Sequence, residues 1–183
     1  MTLVRLLARI GRLFSRNEKS EAVQTTVHLD ASPSAVWRGM LFYEEVPQRT
    51  VPILRLFLPV PISTEGDKTL VDAIIKCKYE GGHLEKRITV AEPASLVRFD
   101  VTVQHLGIED CISMTGGSYT IRPEAGGSEV VLTTQYRGHL RPRFLCRPFE
   151  HYLAHRMHRY ILDGMREALS ARAYALEAGS PTN

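Results

Sequence analysis

The segment CKYEGGHLEKRI, residues 77–88, decides between two folds. Adjacent glycines can cradle a phosphate when they join a strand to the start of a helix, where free backbone N–H groups and the helix dipole meet the anion. The same pair can supply the positive φ of a two-residue hairpin turn. Both flanks of Gly81–Gly82 alternate with period two. On the N-terminal side Val71, Ala73, Ile75, Cys77 and Tyr79 share one face, and Asp72, Lys76 and Lys78 take the other. On the C-terminal side Leu84, Ile88 and Val90 oppose Glu85, Arg87 and Thr89. No helix pattern follows the glycines, so the pair reads as a turn between antiparallel strands.

The same period continues outward. In residues 96–105 Val97, Phe99, Val101 and Val103 oppose Arg98, Asp100, Thr102 and Gln104. CISMTGGSYTIR (111–122) and EVVLTTQYRG (129–138) complete a meander of about five antiparallel strands with one face buried. The stretches between them are turn-rich. Upstream, QTTVHLDA (24–31) reads as a further half-buried strand. Ser32 then suits a helix N-cap and Pro33 the first helical position. Val36, Trp37, Met40 and Leu41 make that helix's inward face, and Pro47 and Pro52 end it. ILRLFLPV (53–60) is a second short helix or a buried connector, stopped by Pro59 and Pro61.

The last element starts at Pro142 or Pro148 and runs to about Ala178. Phe149, Leu153, Met157, Tyr160, Ile161, Gly164, Met165 and Ala168 form its apolar stripe. About 30 residues make a helix of roughly 45 Å, enough to cross a five- or six-stranded sheet. The expected fold is α+β. A curved antiparallel sheet of about six strands wraps a long C-terminal helix, and two short helices follow the first strand. The expected organisation is a basic amphipathic helix over 1–16, a linker over 17–21, one domain over 22–178 and a tail over 179–183.

Composition fits this reading. The 183 residues are 44% hydrophobic and 23% charged, ordinary for a globular chain and too apolar for a disordered one. Cys77, Cys111 and Cys146 are odd in number and widely spaced, with no CxxC pair. That is neither a disulfide framework nor a zinc ribbon, and it points to a reducing, cytoplasmic compartment. No secretory h-region and no bilayer-length apolar run is found. Net charge is +3, but Arg5, Arg9, Arg12 and Arg16 supply +4 within the first 16 residues. The rest holds 19 basic against 20 acidic residues. A near-neutral body argues against nucleic acid as the partner.

In residues 1–16 the arginines oppose Leu3, Leu6, Leu7, Ile10, Leu13 and Phe14. Such a helix can lie on an anionic membrane through residues 2–16, here the inner face, with the four arginines as contacts. It can equally dock on its own domain or on a partner subunit, and the Arg bias also fits a transit peptide.

VHLDASPSAVW at the first strand and helix, EGGHLEKRI, MTGGSYTIRPEAGGSEVVLTTQY and the helix from 148 onward resemble the START-like superfamily, also called SRPBCC, helix-grip or Bet v 1-like. Within it the chain is similar to bacterial polyketide cyclase/dehydrase-like proteins. The resemblance covers residues 22 to about 172 and leaves the N-terminal helix outside. It implies a cavity between sheet and helix, and ligands such as sterols, lipids, quinones or polyketides. Its motifs are structural and name no substrate.

The residues themselves offer several polar candidates. Tyr79, His105, Thr134 and Tyr136 lie in phase with apolar strand faces, and Met157 and Tyr160 lie on the helix stripe. A few convergent polar groups in an apolar pocket would orient a ligand, or they are core residues with satisfied hydroxyls. Arg156 and Arg159 flank the stripe. His83, Glu85 and Arg87 are expected to face water and pair across strands, unless a register shift turns them inward. His151, His155 and His158 cluster on the last helix, but the apolar stripe centres near about 220° from them on a 100° step. They are therefore expected to face solvent, and no metal site is expected. No nucleophile motif and no cofactor motif is found.

Three functions follow. The first is binding of an apolar or amphipathic small molecule, with residues 2–16 as a membrane contact. The second is a cyclase or aromatase with cavity Tyr and His as acid/base groups. The third is an interaction module with a filled core. A polar pocket containing His105 and two tyrosines favours the enzyme; a wide apolar one favours binding; a collapsed interior favours the third.

Overall fold

A two-residue turn, Glu80–Gly81, joins two antiparallel strands: Gly81 takes φ +79°, whereas Gly82, expected in the turn, already pairs with Tyr79 as the first residue of the second strand. A computed structural model describes residues 20–46 and 52–178. The expected helix over 1–16 and the tail over 179–183 lie outside the described residues. Within them the order is β1 (Glu21–Leu29), α1 (Pro33–Arg38), a 3₁₀ turn (Tyr43–Glu45), α2 (Pro52–Phe57) and β2 (Pro61–Glu65). There follow β3 (Ile74–Tyr79), β4 (Gly82–Glu92), β5 (Leu96–His105), β6 (Ile112–Glu124), β7 (Gly127–Gly138) and α3 (Arg143–Ala178). The strands form one curled antiparallel sheet in the order β1-β7-β6-β5-β4-β3-β2. The sheet has seven strands where about six are read from the sequence. The extra one is β2, which starts at Pro61, where the sequence marks a stop. Proline is tolerated there because an edge strand can begin with a residue lacking an N–H.

Local chemistry sets the short helices. The Ser32 hydroxyl accepts the Ala35 amide at 3.3 Å, and Pro33 opens α1. α1 stops at Gly39, earlier than the prolines require. A Cβ at Gly39 would lie 2.9 Å from Leu169 on α3, so the chain turns where the two helices meet. Residues 53–60 resolve into a helix through Phe57.

The core lies between the sheet, α1, the 3₁₀ turn and α3. Leu29, Val36, Phe42, Ile75, Leu84, Ile88, Val97, Tyr119, Val130, Leu132, Leu162 and Met165 are among its buried residues. At about 25 cal/mol per Å², each large side chain so removed from water stabilises the fold by roughly 1.5–3 kcal/mol.

Two features correct the sequence reading. The first is the rotation of α3. The buried residues His158, Ile161, Leu162 and Met165 centre near about 330° on the scale that put the stripe near 220°. α3 has two apolar contacts, the sheet on one side and α2 with its surroundings on the other, so its apolar residues spread beyond one stripe. His158 consequently faces β1 and β7, not solvent. The second feature is a bulge in β5. Glu85 pairs with Val103 and Lys86 with Val101, leaving Thr102 as an extra residue. One extra residue inverts the alternation beyond it. Gln104 therefore points inward, bonding the Met114 amide and the Ile112 carbonyl at 2.7 and 3.0 Å, and His105 points outward.

Candidate functional site

Between the first half of α3 and the sheet lies an open cavity of about 340 Å³. α3 contributes Leu145, Cys146, Phe149, Glu150, Leu153, Ala154 and Met157. The sheet contributes Ile112, Met114, Thr134 and Tyr136, the 106–112 loop Ile108 and Cys111, and α2 with its exit Phe57 and Leu58. The Phe57 and Phe149 rings meet edge to face, with centroids 5.0 Å apart, between α2 and α3. The volume falls at the lower end of small-molecule sites, and the walls are almost wholly apolar.

Of the candidate residues, Thr134, Tyr136 and Met157 line this cavity. Thr134 is buried and its hydroxyl is taken by His158 Nε2 at 2.8 Å. The Tyr136 ring is buried, and its hydroxyl makes no hydrogen bond to a described residue. Burial, with the Glu150 and Glu21 carboxylates adding to it, raises the Tyr136 pKa, so the phenol stays protonated. Arg143 engages both Glu150 oxygens at 2.6 and 2.9 Å, and the same carboxylate is the polar group that faces the Tyr136 hydroxyl.

The other three candidates lie elsewhere. Tyr79 is buried, but its hydroxyl donates to Glu44 in a separate cluster. His105 is exposed on the outer face, its ring 5.1 Å from that of His83. The Thr102 bulge is the cause. Tyr160 sits against Tyr43, with ring centroids 5.7 Å apart, outside the cavity wall. His83 and Arg87 are exposed, and Glu85 pairs with Lys76 at 3.6 Å.

Three polar clusters hold the site's frame. Glu21, the first residue of β1, binds Arg143 at 3.2 Å, Arg147 at 2.7 Å and His151 at 3.5 Å. Burial pushes the Glu21 carboxyl up, but the two arginines outweigh it and the pKa falls below the usual range. This clamp fixes the start of α3 against the sheet. One turn further on, Thr25 bridges His155 and His158 at 2.8 and 2.9 Å, and Thr134 completes the shell of His158. Burial, aided by nearby His155, lowers the His158 pKa to about 3, so its imidazole is neutral.

The third cluster is ionic and buried. Lys86 Nζ sits 3.1 Å from both Glu44 oxygens and 4.3 Å from the Phe42 ring centroid. Burial opposes both charges, yet the Glu44–Lys86 attraction prevails. The lysine pKa is raised and the glutamate pKa lowered. The sequence holds a signal for this cluster, because Lys86 lies midway between Leu84 and Ile88 on the inward face. The cavity wall from the 106–112 loop has no comparable signal, since loop residues carry no period. Among the described residues no group of three or more His, Cys, Asp or Glu could hold a metal. No disulfide joins Cys77, Cys111 and Cys146.

Comparison with known proteins places the architecture. No family model matches the chain, and no curated protein does. Solved structures match over most of its length. A Staphylococcus aureus protein of unknown function has a TM-score of 0.61 at 9% identity, covering 86% of this chain and 98% of its own. The Zhui aromatase/cyclase from a Streptomyces species has 0.58 at 13%, covering 85% and 96%. A point mutant of Thalictrum flavum norcoclaurine synthase with a transition-state analogue has 0.55 at 11%, covering 87% and 99%. The chain shares the helix-grip fold of these structures. At these identities the likeness concerns the fold alone.

Proposed function

We propose that this protein binds a hydrophobic or amphipathic small molecule, of lipid, quinone or polyketide-like size, in the cavity between α3 and the sheet. The observation that carries the reading is the open, apolar 340 Å³ cavity bordered by Leu145, Phe149, Leu153 and Met157. The buried Tyr136 hydroxyl is a neutral donor beside it. Apolar walls favour binding by the area they remove from water. The cyclase alternative needs an acid/base pair in the pocket. With His105 outside and His158 held neutral between threonines, the cavity supplies no histidine for that role. The two enzymes among the structural neighbours keep the alternative in view, and a cavity tyrosine would be its starting point. Residues 2–16, through Arg5, Arg9, Arg12 and Arg16, supply a peripheral membrane contact in this reading.

Native mass spectrometry of freshly purified protein, followed by organic extraction, is the first test. A co-purifying apolar mass is expected. In parallel, the neutral dye N-phenyl-1-naphthylamine should gain fluorescence on binding. Met157→Trp, which fills the cavity, should weaken dye binding at least tenfold while keeping the fold. A wild-type protein that carries no ligand and takes up no dye has a closed cavity, and the proposal fails.

A further inference from the structure

The outer side of α3 carries an apolar and cationic stripe that the fold does not cover. Leu145, Phe149, Tyr152, Arg156 and Arg159 follow one another at spacings of 4, 3, 4 and 3 residues. That spacing keeps them on one helix face over about 21 Å. Leu145, Phe149 and Tyr152 are 62%, 39% and 50% exposed. Beside them Phe144 is 75% exposed, and Leu56 on α2 is 58% exposed. Leu145 and Phe149 are also cavity wall, so the stripe and the mouth are one surface.

The charge on this surface is one-sided. Arg159 is exposed and Arg156 half-buried, with its Nε out of water; neither makes an ion pair with a described residue, and neither does Arg55 on α2. From Leu145 to Arg159 the only acid on α3 is Glu150, which is buried and bound by Arg143. The next residue on the stripe, Asp163, is exposed and binds Arg166 at 2.8 Å. The 106–112 loop, which supplies other wall residues, holds Glu109 on the Leu106 amide and the exposed Asp110. Cationic character is therefore on the helix side of the mouth.

We propose that this stripe docks on an anionic lipid bilayer, with the cavity mouth opening onto the acyl chains. Contiguous exposed apolar side chains of this extent mark an interaction surface. Aromatic side chains favour the interface between headgroups and chains, and each basic residue near an anionic leaflet adds about 1 kcal/mol. A second copy is the poorer occupant. A two-fold contact centred on Arg156 and Arg159 would bring them near their own duplicates, and the one carboxylate on the stripe, Asp163, is already engaged by Arg166. The docking stands apart from the ligand reading, and only its consequence for loading rests on it. An apolar ligand would pass from the acyl region over Leu145 and Phe149 into the cavity without crossing water.

The test uses the full chain and vesicle flotation. Vesicles are phosphatidylcholine alone, or phosphatidylcholine with a third of phosphatidylglycerol. The variant is Tyr152→Glu/Arg159→Glu, whose positions are surface residues outside the cavity wall. Partition onto the anionic vesicles should fall at least tenfold. Binding of N-phenyl-1-naphthylamine without vesicles, and the melting temperature, should stay at wild-type values. A chain with Arg5, Arg9, Arg12 and Arg16 changed to alanine separates the two membrane contacts and should retain partition that the stripe variant removes. Unchanged partition in the stripe variant overturns the proposal. So does a variant that loses self-association instead, which would make the face an interface between copies. Dye binding reports on the cavity in every arm, so its failure is distinguishable from failure of the docking.

Discussion

His158 shows what one buried residue does to the pH response of the whole protein. Its pKa is 6.5 when free and about 3 when folded, so the folded chain binds fewer protons than the unfolded one in that window. Its stabilising contribution is complete above about pH 6.5 and drains as pH falls towards 3. Between pH 7 and pH 4.5 the loss should be about 3 kcal/mol. His28 has the opposite sign. Its pKa is raised by the hydrogen bond to Glu124, so its contribution is kept at low pH. Urea unfolding at the two pH values measures the net. His158→Gln should flatten the dependence, and an equal slope in that variant would show that other groups carry it.

The Glu44–Lys86 pair makes a second prediction at this scale. Both side chains are out of water, and Tyr79 and Phe42 complete their surroundings. Lys86→Met should cost roughly 3–5 kcal/mol, because it strands a buried carboxylate. Glu44→Gln/Lys86→Met should recover most of that loss. If the double variant is as unstable as the single, the pair is not what the core needs. Lys86 was legible in the sequence as a charge on an apolar face. Its partner was not, because Glu44 comes from a 3₁₀ turn about 40 residues away with no period of its own.

At the scale of elements, the hairpin glycines have separate roles. Gly81 faces open space but has a positive φ; Gly82 has ordinary φ, but a Cβ there would lie 1.9 Å from the His105 carbonyl oxygen. Gly81→Ala should cost about 1 kcal/mol from backbone strain alone. Gly82→Ala should cost at least about 2 kcal/mol, because β4 and β5 must part. Comparable losses by thermal unfolding would mean that the strand end gives way. The strands other than β2 were legible from period two. Two elements then departed from their pattern for reasons no pattern holds. The β5 bulge depends on how β4 aligns opposite it, and it alone moved His105 from the inner to the outer face. The rotation of α3 depends on its clamps, Glu21 at one end and Thr25 with Thr134 in the middle.

For the molecule as a whole, the cavity and the exposed stripe lie along the same half of α3. A helix with one apolar stripe would have buried it against the sheet and left neither. α3 instead divides its apolar residues among sheet, cavity and surface. The vesicle and dye measurements treat those surfaces as separable. No helix among the described residues is long and apolar enough to cross a membrane.

The sequence by itself determined the strand meander, the hairpin at Gly81–Gly82, the Ser32 cap and the long last helix. Each of these follows from residues close in the chain, where φ preferences, caps and side-chain periods act. Tertiary structure alone decided which polar groups meet. It set Thr134 on His158, Tyr136 beside an apolar cavity and Tyr79 on Glu44, and it left His105 in solvent. Those outcomes depend on register across strands and on the rotation of one helix. Both are fixed by contacts between residues far apart in sequence, and a shift of one residue reverses them.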